Sequence, residues 1–372
     1  MKIPVKVVRR KVVVSEKEIS VSKRELWIDY ARGLALILVV LAHSQIPGRL
    51  FEFISYVIVV FPVISGYLMK EMSIIELIKR RKTLILSYYY IGAIGYLVWV
   101  MCVPDIFRKA DNLTYLKNYI LVRTDLFDKI PLPIVPLWYL IFLFIAELMY
   151  QIFSKIKMLP YAIFAGILAR YFHPTSLPFK LDVAFSGLYM FWLGRWIKKN
   201  TKILGKFHYI LGIFGFTMWL LSWYFFGGTS WNVDEYGQQP FMTLIGEIGT
   251  AISFYWLGKV MEKYTLNNSQ SGKFFDIITS KYILGILKVF SDNSIFAFGY
   301  HILVGGIIVV ITMALGFTVT EETLRSYWYI TFTLSFGAML TLLLVLPKPV
   351  KLLMTQPDEF LKITINGRSN RK

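Results

Sequence analysis

The chain has 372 residues, 56% of them hydrophobic and 17% aromatic, and only 17% are charged. A soluble domain carries about a quarter charged residues, so the composition excludes an ordinary soluble fold. The formal net charge of +18 would suit a nucleic-acid binder, but the basic residues fall between apolar segments, where they mark sidedness in a membrane.

In chain order, residues 1–25, opening MKIPVKVVRRKVVV, form a basic arm without the apolar stretch of a signal peptide. Windows of about 20 residues then meet apolar spans in succession, near 29–46, 51–69, 84–103, 136–153, 159–172, 182–197, 205–226, 239–260, 294–315 and 326–347. The pattern predicts an all-α, polytopic integral membrane protein of about ten transmembrane helices. One transmembrane domain, 26–348, is followed by a basic tail, 349–372. Thirty Lys and Arg lie on the side shared by both termini and eight on the other, which places both termini in the cytoplasm. The charge then serves topology and contact with anionic lipid. Cys102 is the single cysteine, so no internal disulfide exists. The four scattered histidines and the lone cysteine offer no metal cluster.

The first span, DYARGLALILVVLAHS, contains Asp29, Arg32 and His43. Eleven residues at 100° each return Arg32 and His43 to one helix face, about 16 Å apart along the axis. Asp29 stands three residues before Arg32, a spacing that allows an ion pair. Charges inside a span require water, a partner or a ligand. Two readings follow: a structural Asp29–Arg32 pair with His43 bonded to a neighbouring helix, or a functional site.

This span resembles the first transmembrane helix of the acyltransferase 3 family, whose signature is Arg, ten residues, then His. Later segments are similar to family elements in the family's order: FPVISGYL (61–68), the basic loop LIKRRKTLILSYYY (77–90), PLWYLIFLF (136–144) and SDNSIFAFGYHIL (291–303). The chain departs from the family where Thr83 stands three positions after Arg80 and Ser87 replaces a proline, and where Tyr139 rather than Phe follows Trp138.

The resemblance implies transfer of an acyl group, typically acetyl, from cytoplasmic acyl-CoA as co-substrate to a hydroxyl of a cell-surface glycan or its lipid-linked precursor. It implies a multi-pass location in the cell (cytoplasmic) membrane and no nucleic-acid partner. Arginine's forked donors match phosphate, so Arg32, with Lys79, Arg80 and Arg81, is the expected anion site for the donor. Ser65 and Gly66 would let backbone approach it, although small residues also serve plain helix packing. His43 is the expected general base on the acceptor hydroxyl, with Asp29 and His301 beside it. His301 either orients His43, holds the acceptor, or is bonded to a neighbouring helix. Ser291, just upstream, is a further candidate. Trp138 and Tyr139 either stack on a sugar or belong to an interfacial aromatic belt. Glu147 and Glu247, acids within apolar spans, either bind acceptor hydroxyls or pair internally. His173 and His208 read as bystanders. The alternatives are a transporter or flippase, with intramembrane charges marking its path, and a catalytically silent sensor on the same fold.

Overall fold

The computed structural model describes residues 25–102, 110–123, 130, 132–172, 177–268 and 278–369. The N-terminal arm, parts of the 104–134 loop and His173 lie outside them. Among the described residues every regular element is helical, and the sole strand-like feature is a bridge between Ser230 and Glu235.

Helix α1 (Leu26–Ala42) ends where the His43 amide bonds back to Val39 O at 3.2 Å, Gln45 takes φ 59° and Pro47 follows. Helix α2 (Gly48–Ser55) continues through a 3-10 turn, Tyr56–Val59, into α3 (Val60–Leu68). Then come α4 (Ile74–Cys102) and the short loop helix α5 (Asn112–Ile120). Asp111 caps α5 by accepting from the Thr114 amide and hydroxyl at 2.8 and 2.7 Å, and these two bonds hold its carboxyl below the usual range. Helices α6 (Trp138–Lys155), α7 (Leu159–Phe172), α8 (Leu181–Ser186), α9 (Leu188–Lys199), α10 (Thr201–Lys206), α11 (His208–Phe226) and α12 (Pro240–Asn268) follow. The chain closes with α13 (Leu284–Asp292), α14 (Ser294–Ala314), α15 (Glu321–Ser326), α16 (Trp328–Val345), α17 (Lys348–Thr355) and α18 (Pro357–Ser369).

The ten predicted spans coincide largely with helix. Among the described residues, six helical stretches are long and apolar enough to cross a membrane: Gly48–Leu68, Ile74–Met101, Ile134–Lys155, His208–Phe226, Ser294–Ala314 and Trp328–Val345. Helix α1 is only 17 residues long, α7 only 14, and α12 carries Glu247, Lys259, Glu262 and Lys263.

Helix α1 lies at the centre, packed on α12 and α13, while α3 packs on α9 and α11 on α12. The α3–α9 contact needs glycine on both sides. A side chain at Gly66 would collide with the Phe191 carbonyl, and one at Gly194 with the Val63 carbonyl. Small residues allow this close approach where lipid supplies no hydrophobic drive. The tail turns back onto the bundle, and Tyr300 on α14 donates to Met354 O on α17 at 2.8 Å.

Candidate active site

The early stop of α1 leaves His43 at the helix C-terminus, where its ring meets His301 of α14. His43 Nδ1 lies 2.9 Å from Val39 O, and His301 Nδ1 lies 2.9 Å from Phe298 O. A carbonyl only accepts, so each of these nitrogens carries the proton. His301 Nε2, left with a lone pair, stands 3.4 Å from His43 Nδ1, and the rings meet edge-on with centroids 4.8 Å apart. His43 Nδ1–H therefore faces two acceptors, and the lone pair of His43 resides on Nε2. His301 is buried, whereas His43 is exposed into a cavity.

That cavity measures about 570 Å³, within the range of small-molecule sites. Helix α1 contributes Val39, Ala42 and His43 to it, and Phe51, Trp138, Trp231 and Phe298 add aromatic surface. Gln45, Ser55 and the run Thr229–Asn232 supply polar groups. Among the described residues that line it, Arg325 is the one cationic side chain and none is a carboxylate. An adjoining hollow of about 540 Å³ shares Gly48, Phe51, Ser55, Thr229 and Ser230 with it. Both lie at the C-terminal end of α1.

The remaining expected site residues separate into groups. Asp29 is buried near the other end of α1 and accepts from Ser291 Oγ at 3.1 Å, which ties α1 to α13. Arg32 is half-buried and is not part of the cavity lining. Lys79 and Arg80 are exposed, whereas Arg81 forms an ion pair with the buried Glu147 at 2.6 Å and so links α4 to α6. Glu147 is thereby turned to Arg81 rather than to the cavity. Gly66 serves the α3–α9 contact, and the half-buried Ser65 is beside it in sequence. Trp138 lines the cavity, but Tyr139 is packed against Phe61, Phe142 and Phe298. His208, expected to be idle, bonds Gly205 O at 2.8 Å on an exposed turn.

A second polar centre was missed in the sequence. Arg170 of α7, wholly buried, donates through Nη1 to Glu247 Oε2 at 2.7 Å and through Nη2 to Glu247 Oε1 at 3.0 Å. Tyr189 donates to Glu247 Oε2, and Trp231 Nε1–H to Oε1 at 2.9 Å. The guanidinium also sits over the Tyr236 ring at 4.0 Å and the Trp231 ring at 5.3 Å. The available signal was a lone arginine in the apolar run LPYAIFAGILARYF; Glu247 was flagged, and this is its partner.

The pair of imidazoles at a cavity suits proton transfer to and from a hydroxyl. Among the described residues no group of His, Cys, Asp and Glu could hold a metal ion. Comparison with curated proteins gives no match, and neither does comparison with solved structures. The family model for an acyltransferase domain matches residues 25–346, nearly the whole chain, and the protein belongs to the acyltransferase 3 family of membrane acyltransferases.

Proposed function

We propose that this acyltransferase is an O-acyltransferase of the cell membrane that moves an acyl group, acetyl in the simplest case, from cytoplasmic acyl-CoA to a hydroxyl of a cell-surface glycan or its lipid-linked precursor. One observation carries the reading: a histidine whose Nδ1 is engaged by Val39 O and His301 lines a cavity, which leaves its Nε2 for the acceptor. His43 Nε2 takes the proton of the acceptor hydroxyl as that oxygen attacks the thioester carbonyl. The C–O bond forms, the C–S bond breaks, and the imidazolium returns the proton to the departing thiolate. The positive charge arises at the C-terminal end of α1, where the backbone carbonyls favour it.

The acceptor side is supported by the cavity lining. Indole and phenyl faces with amide and hydroxyl groups suit a polyol better than an ion, and the joined hollow leaves room for more than one sugar unit. The donor side rests on charge. Arg32 lies in the N-terminal half of α1, and Lys79 and Arg80 are exposed near the start of α4. These cations would hold the phosphates of CoA while its pantetheine arm spans the roughly 16 Å to His43.

The test is acetyl transfer by purified protein in lipid nanodiscs, from labelled acetyl-CoA to glycans extracted from cells lacking the gene. Transfer, or thioester hydrolysis when glycan is absent, is expected for the parent and lost in His43→Ala. A parental rate in His43→Ala would remove the base. Translocation of glycan without thioester cleavage would replace the reading by a flippase.

A further inference from the structure

Four consecutive residues, Thr229–Asn232, form one wall of the His43 cavity, and each is tied to a separate residue of the surroundings. The Thr229 amide donates to Ser55 Oγ of α2 at 2.9 Å. Ser230 exchanges backbone bonds with Glu235 at 2.7 and 3.1 Å. Trp231 donates to Glu247 of α12, and Asn232 O accepts from Lys180 Nζ at 2.8 Å. The last two anchors are charged and about 1% exposed. Isolated charges at such depth are costly, and a buried ion pair is often replaceable by apolar groups without loss of stability. Its retention behind a cavity wall needs a reason other than folding energy.

We propose, building on the acyl-transfer reading, that Trp231 is an acceptor-contact residue and that Arg170 and Glu247 are positioning residues that fix its indole against the glycan. Glu247 Oε1 receives one Arg170 N–H and the indole N–H, so the carboxylate sets where the indole lies, and Arg170 sets where the carboxylate lies. A loop held this way presents a fixed surface to the incoming sugar, and ordering on binding then costs little. His43 performs the chemistry, and Trp231 decides which hydroxyl reaches it.

The test uses the single cysteine. In a Cys102→Ser background, Ser230→Cys places a thiol in the wall, and its rate of alkylation by N-ethylmaleimide in nanodiscs reports how firmly the wall is held. Trp231→Phe removes the charge-assisted indole bond and Glu247→Gln weakens that bond together with those from Arg170 and Tyr189, so each should raise that rate about tenfold. Combined, they should add little, since the carboxylate reaches the indole through the one bond that Trp231→Phe already removes. In the transfer assay both variants should raise the half-saturating glycan concentration more than they lower the maximal rate. Additive labelling effects, or unchanged labelling, overturn the clamp. A fall in maximal rate alone overturns the acceptor contact. Absence of transfer in the parent together with coupled labelling would refute acyl transfer and the acceptor contact while leaving the clamp intact. His43-dependent transfer with additive labelling would do the reverse.

Discussion

Two polar centres are built into the apolar helices, and they are opposites. The His43–His301 centre uses two imidazoles, meets at a single long contact and opens into about 570 Å³ of space. The Arg170–Glu247 centre uses full charges, places four donated hydrogen bonds on one carboxylate and is itself sealed. Groups proposed to exchange a proton are left room. Groups that must hold position are saturated. A buried charge is thus no guide to chemistry unless the space beside it is known.

The contrast breaks most sharply at His43. His43→Ala should lower acyl transfer about 10²–10⁴-fold with little change in thermal unfolding in detergent; equal loss of stability would make His43 structural. Arg170→Ala should do the converse and destabilise by about 3–5 kcal/mol, because Glu247 is left buried and unpaired. Arg170→Met with Glu247→Leu should recover much of that stability, and a double variant as unstable as the single one would show that the charges also support the fold. His301→Ala removes the acceptor facing His43 Nδ1. Loss of one such bond is worth about 1 kcal/mol, so transfer should fall about fivefold, and a loss as large as that of His43→Ala would give His301 a direct part in the reaction. The smallest effect is expected at Arg195, whose partner Glu71 is 80% exposed. Loss of that pair in Glu71→Ala should change stability by about 0.2–1 kcal/mol, and a larger change would show that exposed and buried pairs differ less than proposed.

Much of this was legible in order but not in depth. The apolar runs located the long helices, since hydrophobicity over about 20 residues is a one-dimensional signal, but not α5, α13, α17 or α18, which lie outside those runs. The run did not reveal that α1 would stop at Ala42, because Gln45 with φ 59° and Pro47 act locally. The Arg32–His43 spacing identified the helix, and the family match agrees with it, but spacing along one helix cannot say which cavity each end faces. Glu147 and Glu247 look alike in sequence, each a single acid in an apolar span. Their cations, Arg81 and Arg170, come from other helices 66 and 77 positions away, and only tertiary packing pairs them. Trp231 was invisible for a related reason. It lies in a short loop, and its importance comes from Glu247 behind it and the cavity in front.

The tail also bears on practical work with this enzyme. Tyr300 immediately precedes His301, and its hydroxyl is received by Met354, well past the last bilayer-length helix. A shortened version ending at Val345 would therefore loosen the helix that carries the second imidazole, and purification handles are better fused ahead of Leu26 than in place of the final two helices.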